Sequence, residues 1–402
     1  MELICISKMV SEKNKIKPKI LRIATVPVYM NIVLKGQLRY LNQYFDVVAA
    51  TAYDEKHYNE IGNREGVVMR TIDLHRTISP IKDLSALFQL IRLIKKEKPQ
   101  LIHTHTPKAG LLGMLAGFVC NVPVRMHTVT GLPLMGATGL KKKLLIGLEK
   151  LTYALTTGVY PNSHALKEYI LTNNFTRQCK LKVLLNGSTN GVDTSIFDAS
   201  QIDTKENLRT LYSITKDSFV FVFVGRIAKE KGIEELVSAF VALTKEFPEQ
   251  KFQLLLVGKF ERQYGLLKQE TEKFIENHSD IITPGRFDDV RPFYKLADVF
   301  VLPSYREGFP NAVLEAGAMG IPSIVTNING CNEIIINGKN GLIIPVQDEK
   351  ALLEAMKIML TNNSGYQNMQ MVSRSNVVDK YARKNMLEAL KTEYEDLLKK
   401  VR

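Results

Sequence analysis

Short, continuous apolar runs alternate with longer stretches of helical period along almost the whole sequence, and the pattern restarts near its middle. Runs that are apolar at every position predict strands covered on both faces, the mark of parallel sheets flanked by helices. In the first half the predicted strands are Ile20–Val26, Asp46–Thr51, Val67–Ile72, Leu101–His105, Arg125–Val129 and Val159–Pro161, with Lys182–Leu185 closing the set. Helices are predicted at Ile32–Tyr44, Ile81–Glu97, Gly110–Val119 and Leu140–Thr156. The second half opens on FVFVFV (Phe219–Val224), then a helix over Ile233–Phe247. Strands follow at Phe252–Val257, Ile281–Thr283, Val299–Leu302, Ser323–Val325 and Leu342–Ile344.

A chain of 402 residues exceeds what one ordinary core organises, so two domains are expected. The stretch Gly187–Asn207, rich in Gly, Asn, Ser, Thr and Asp and without periodicity, reads as the linker. The fold class predicted is α/β: two doubly wound, Rossmann-like domains facing a cleft. The parts are an extension (1–18), an N-terminal domain (19–200), a C-terminal domain (201–375) and closing helices (376–402). Ligands of open α/β sheets bind at the carboxyl ends of the strands, so polar residues just after strands are the candidates for chemistry.

The formal net charge of +13 favours an anionic partner. Tryptophan is absent, and no helix-turn-helix, zinc-finger or RNP-like pattern is present, which argues against nucleic acid. The four cysteines are scattered without a CxxC pair, so neither a disulfide framework nor a zinc site is expected. No run reaches the roughly 20 apolar residues that span a bilayer. The expectation is a cytoplasmic protein, with peripheral attachment to the inner face of the cell membrane left open.

Gly225-Arg226 ends the FVFVFV strand, and Lys229, Lys231 and Gly232 precede the next helix. Strand, tight turn, cations and helix N-terminus together suit a diphosphate, although a solvated charged loop has the same composition. The second motif is PSYREGFPNAVLEAGAMGIP, from Pro303 to Pro322. Pro310 suits the first position of a helix, with Asn311 and its neighbours offering backbone amides to a ligand. Glu307 stands just before that helix and Glu315 within it, so both carboxylates reach one ligand and accept from its hydroxyls. An acid at a helix N-terminus followed by an ordinary helical glutamate is the alternative reading.

Histidines cluster at strand ends. His103 and His105 are two apart and share a face, but no nearby carboxylate or thiol completes a metal site, so none is expected. Lys35-Gly36-Gln37 places a glycine either in a ligand-approaching turn or early in a helix. Lys141, Lys142 and Lys143 lead into an apolar run, a pattern shared by lipid-surface helices and core-facing helices with a solvated lysine cluster.

In combination, VGRIAKEKG, ADVFVLPSYREGFPNAVLEA, NGCNEIIINGKNGLIIP, HTHTPKAG and HTVTG resemble the retaining glycosyltransferases of family 4, which have the GT-B architecture. Glu307 and Glu315 reproduce the family's Glu-x7-Glu motif, and enzymes assembling capsular polysaccharide, O-antigen and lipid-linked glycans look most similar. The resemblance implies a nucleotide-sugar donor, UDP-linked by family habit, and a lipid-linked saccharide acceptor, with no cofactor or essential metal. It places Arg226 and Lys231 on the donor diphosphate, Glu315 on the ribose and Glu307 on the sugar. The amides near Phe309 to Asn311 would face diphosphate and sugar, with Gly308, Phe309, Pro310 and Asn311 all at the donor. Gly285 and Arg286 would edge the nucleobase, His127 would contact the donor sugar, and Gly36 would approach phosphate. His105 and Lys108 are the candidates for the acceptor side, and the basic helix at Lys141–Lys143 for an anionic membrane. The last helix is expected to return to the N-terminal domain, with closure hinging on Gly187–Asn207. An epimerase of the same fold and a non-catalytic nucleotide- or glycan-binding subunit are the rivals.

Overall fold

The computed structural model describes residues 17–77, 79–261 and 265–401; most of the expected extension, residues 1–16, lies outside them. The chain forms two compact units. The first contains residues up to 162, 167–184 and 387 onward; the second contains 163–166 and 185–386.

In the first unit, β1 (Lys19–Ala24) is followed by α1 (Pro27–Ile32), α2 (Gln37–Asn42), β2 (Asp46–Thr51), α3 (Glu55–Glu65) and β3 (Val68–Thr71). The chain continues through α4 (Pro80–Glu97), β4 (Leu101–His105), α5 (Pro107–Val119), β5 (Val124–Val129), α6 (Gly139–Leu155) and β6 (Gly158–Pro161), then α7 (His164–Thr172). The sheet is wholly parallel in the order β3-β2-β1-β4-β5-β6. Strands β1, β2, β4, β5 and β6 are buried along almost their full length because helices cover both faces, which is why the sequence shows apolar runs there, while the edge strand β3 is partly exposed.

The second unit repeats the plan. It comprises α8 (Lys205–Leu211), β7 (Phe219–Val224), α9 (Ile233–Glu246), β8 (Phe252–Val257), α10 (Gln269–Asn277) and β9 (Ile281–Gly285). Next come α11 (Arg291–Leu296), β10 (Val299–Leu302), α12 (Asn311–Ala318), β11 (Ser323–Thr326), α13 (Cys331–Ile334) and β12 (Gly341–Ile344). Its sheet order, β12-β11-β10-β7-β8-β9, is the same topology as the first. In each sheet the strand order reverses at one point, between β1 and β4 or between β7 and β10, and loops leaving that point diverge to open a crevice.

After α14 (Glu349–Thr361) and α15 (Asn363–Tyr381), α16 (Arg383–Lys399) ends the chain. From Leu387 onward it belongs to the first unit, where Leu390, Tyr394 and Leu398 are buried with Leu41 and Phe45. Among the described residues no helix is long and apolar enough to cross a membrane.

Three local expectations change. The single helix predicted over Ile32–Tyr44 is two short ones, because Pro27 starts a helix early and Gly36, at φ +79°, breaks the path before α2. The strand predicted at Lys182–Leu185 shrinks to one bridge between Leu181 and Val159. There the chain leaves a 3-10 turn and Leu185 turns to φ +50°. Helix α3, absent from the prediction, is started by Asp54, whose carboxylate accepts from the His57 amide at 3.0 Å.

Candidate active site

The strands β7 and β10 pair directly, so the loops that follow them are neighbours at the reversal point of the second sheet. The first loop carries Gly225 to Gly232, the second Pro303 to Pro310. They are in close contact. Gly232, at φ +71°, starts α9, and a β-carbon on it would stand 2.1 Å from the Pro303 carbonyl oxygen. The Tyr305 amide donates to the Glu230 carbonyl at 2.9 Å.

Charged side chains lace the same loops. Lys231 Nζ lies 2.5 Å from Glu307 Oε1, which also accepts from the Ser304 hydroxyl at 2.9 Å. Arg226 meets Glu230 at 2.7 Å, and Arg306 meets the other oxygen of Glu230 at 3.0 Å. Burial opposes ionisation of Glu230, but Arg306 and Arg226 outweigh it and hold its carboxyl below the usual range. The expected diphosphate cations are thus brought together, each already paired with a carboxylate.

Helix α12 begins at Asn311, with Pro310 at the N-cap instead of the first helical position, and no side chain caps it. Its amides present the positive end of the helix toward this loop. Glu315, one turn in, accepts from the Tyr294 hydroxyl at 3.1 Å and keeps part of its surface accessible. Burial pushes its carboxyl up from the ordinary value, against the effect of the Tyr294 bond and the charge of Arg383.

The Phe309 ring is core, 5.6 Å from that of Tyr381, so only its backbone can serve a ligand. The 307–310 loop rests on Asn329-Gly330. Asn329 Nδ2 donates to the Gly308 carbonyl, and at 3.4 Å to that of Glu307, while its oxygen accepts from Ser163 at 2.6 Å. Gly330, at φ +77°, leaves no room for a β-carbon, which would meet Gly308 O at 2.8 Å and Phe309 Cα at 2.9 Å. Sequence reasoning assigned neither residue a role; the NGCNE turn after β11 is the signal that could have found them.

Glycines also end β7, β8 and β9. The Gly225 amide donates to the Val257 carbonyl at 3.0 Å, and the Gly258 amide to that of Gly285 at 2.9 Å. A β-carbon at Gly258 would overlap the Gly225 carbonyl at 1.7 Å. The row leaves a floor of bare backbone beside exposed Arg286. Gly258 was not singled out from the sequence, although Val257-Gly258-Lys259 repeats Val224-Gly225-Arg226 one strand later.

Comparison with known proteins gives this arrangement a family. Residues 204–384 match the model of glycosyl transferases group 1, and residues 38–187 a glycosyl transferase 4-like domain. The capsular polysaccharide biosynthesis glycosyltransferase CapM of Staphylococcus aureus is 31% identical over 95% of this chain and 98% of its own length. The chain belongs to the group 1, family 4-like glycosyltransferases. An Escherichia coli enzyme, UDP-Gal:alpha-D-GlcNAc-diphosphoundecaprenol alpha-1,3-galactosyltransferase, is 30% identical over 81% of this chain and 82% of its own. Solved GT-B structures share the fold. A glycosyltransferase from Rickettsia africae has a TM-score of 0.78 at 19% identity, covering 95% of this chain and 99% of its own. Anabaena HepE in complex with UDP-glucose has 0.76 at 16%, covering 94% and 99%.

The first unit of the glycosyltransferase departs from several expectations. His127 was expected to contact the donor sugar, but it is enclosed beneath α5, its ring where a β-carbon on Gly110 would lie 2.4 Å from Cε1. Its Nδ1 is 2.8 Å from the Thr104 hydroxyl, and burial lowers its pKa to about 4. It is a neutral core imidazole in this structure. His105, expected on the acceptor side, is buried too, 2.7 Å from an Arg22 nitrogen. His103 sits between the Tyr394 hydroxyl at 2.5 Å and the Thr128 hydroxyl at 2.6 Å. Burial first, then the charge of Arg22, pushes the pKa of His103 well below the ordinary value.

Lys108 is committed to Asp83 at 2.6 Å and to the Thr77 carbonyl. The Gly36 amide, proposed for phosphate, already donates to Glu65 at 2.9 Å. In this unit sequence reasoning missed Arg22, fully buried in β1 and bonded to Gln37 at 2.5 Å. An arginine inside the apolar run ILRIA was its signal. Among the described residues no group of three or more His, Cys, Asp or Glu side chains is arranged to hold a metal ion.

Proposed function

We propose that this glycosyltransferase moves a sugar with retention from a nucleotide-diphospho-sugar, UDP-linked, to a hydroxyl of a lipid-linked saccharide in surface polysaccharide synthesis. The observation that carries the donor half is the meeting of Lys231 and Glu307 beside the uncapped N-terminus of α12. A leaving diphosphate gains charge as the glycosidic bond breaks, and donors already aimed at it lower the barrier without reorganisation. Lys231, Arg226 and the α12 amides take that role in place of a metal ion. Glu315 receives the ribose hydroxyls, Glu307 those of the transferred sugar, and Gly285-Arg286 edge the base. The sugar passes through an oxocarbenium-like state, and the departing phosphate takes the acceptor proton as the new bond forms on the same face.

The acceptor class is supported by the names of two relatives, one in capsular polysaccharide biosynthesis and one using a diphosphoundecaprenol-linked sugar. UDP is supported by the complexes of HepE, a fold relative.

Incubation with UDP-, GDP- and ADP-sugars, with and without polyprenyl-diphosphate sugars, tests the reading. Acceptor-dependent release of UDP, with the anomeric configuration of the donor kept in the product, is expected. Epimerisation of donor without acceptor, or binding without turnover, would replace it with one of the rival functions.

A further inference from the structure

Three consecutive residues of the loop after β10 reach three partners in the segment after β7. The Tyr305 hydroxyl donates to Glu235 at 2.7 Å, Arg306 lies 3.0 Å from Glu230, and Glu307 pairs with Lys231. The Tyr305 amide also donates to the Glu230 carbonyl at 2.9 Å, so the main chain fixes the point from which Arg306 extends. Lys231 and Glu307 have roles in the proposed transfer; Arg306 and Glu230 have none there.

Glu230 stands between two guanidinium groups. A 3-10 turn over Lys229–Lys231 folds it back toward Arg226, four residues earlier. One of its carboxylate oxygens lies 2.7 Å from Arg226 and the other 3.0 Å from Arg306. The side chain of Glu230 is 19% exposed and that of Arg306 63%. Burial works against the charge of Glu230, and the hydrogen bond from Arg306 does most to restore it, ahead of Arg226. Three cations, Arg226, Lys231 and Arg306, thus meet three carboxylates, Glu230, Glu307 and Glu261, the last 3.8 Å from Arg226.

That balance matters to a ligand with two phosphates. A diphosphate that draws Arg226 takes it from Glu230. A carboxylate of little exposure left without a cation is costly, and it repels the incoming anion. Arg306 binds the other oxygen, so it stays with Glu230 and neutralises it while Arg226 turns away. An ion pair made by so exposed an arginine adds little to stability. Its effect lies in that exchange of partners.

We propose that Arg306 is a positioning residue that acts through Glu230. It holds this carboxylate when Arg226 moves to the donor diphosphate, and so sets how tightly the site takes a nucleoside diphosphate. The proposal rests on the assignment of Arg226 and Lys231 to the donor, and adds to it a residue that touches neither phosphate nor sugar.

Calorimetric titration of the full chain with UDP tests this without turnover. Arg306→Gln should weaken binding about five- to ten-fold, and raise KM for a UDP-sugar by a similar factor with kcat changed less than about two-fold. Arg306→Lys keeps the charge and should recover most of the affinity. Because Arg306 acts through Glu230, adding Arg306→Gln to the isosteric Glu230→Gln should change Kd less than about two-fold. Thermal unfolding of Arg306→Gln should match that of the wild type, which separates the effect from a structural one. A wild-type chain that binds none of UDP, GDP and ADP overturns the donor assignment and this proposal with it. UDP binding that Arg306→Gln leaves unchanged overturns the proposal alone. So does a loss that persists in full in the Glu230→Gln background, since Arg306 would then meet the ligand directly.

Discussion

Lys231 and Glu307 form a 2.5 Å ion pair between the loop after β7 and the loop after β10. They are 76 residues apart and meet because β7 and β10 are neighbours in the second sheet. Each neutralises the other. A donor whose diphosphate draws Lys231 and whose sugar hydroxyls draw Glu307 would use both ends of the pair.

Lys231→Ala is therefore expected to lower kcat at saturating donor by roughly 100- to 1,000-fold, the range for loss of one preorganised transition-state donor. Glu307→Gln keeps the shape and removes the charge, and should lower kcat as well. Steady-state rates with donor and acceptor varied separately check this. Unchanged kcat in both variants would remove the pair from the chemistry.

Asn329 shapes the same loop. Its amide nitrogen donates to the Gly308 and Glu307 carbonyls. Asn329→Asp sets a carboxylate against those oxygens, and KM for donor is expected to rise at least about ten-fold with a smaller change in kcat. Asn329→Ala should fall between. A KM untouched by either change would show that the loop holds its shape without Asn329.

Gly232 and Gly330 occupy left-handed backbone with no space for a β-carbon. Gly232→Ala and Gly330→Ala should each destabilise the second unit by about 1–3 kcal/mol through strain and the displaced loop. Gly338, also left-handed but with open space around it, should tolerate Ala with a loss of only about 1 kcal/mol. Denaturant unfolding of the three variants compares them, and equal losses would contradict the close-approach argument.

Burial shifts the Glu149 carboxyl from an ordinary 4.5 to about 7. Above the unfolded pKa the unfolded chain releases this proton while the folded chain still holds it, so stability falls as pH rises, levelling off beyond about 7. The full effect is at most about 3 kcal/mol. Glu149→Gln should flatten that part of the profile, leaving the variant more stable than wild type at pH values above the folded pKa. Thermal unfolding of both proteins across the range from acid to mildly alkaline pH measures the difference.

Much of the architecture was legible in one dimension because the parallel strands are buried on both faces. Phe219–Val224, Phe252–Val257 and Val299–Leu302 have the predicted limits. Short polar-edged helices were less legible: α3 depends on the Asp54 cap and carries little apolar surface. The Glu307 and Glu315 spacing, with Gly225-Arg226 and Lys231, stood out as a candidate donor site through its resemblance to the family motif, and the fold sets these residues in neighbouring loops and the helix that follows one of them.

Sequence alone determined the apolar periodicity, the charge excess and the family motifs, since these are properties of residue type and spacing. Tertiary structure decided which loops meet and which polar groups lose contact with solvent. Strand order, not sequence distance, brings Lys231 to Glu307. Helix α5 crossing over its own Gly110 encloses His127, and the return of α16 sets Tyr394 against His103. Burial and pairing depend on neighbours the fold brings in, 23 residues away for His127 and 291 for His103, so a histidine at a strand end becomes, once folded, an enclosed part of the core.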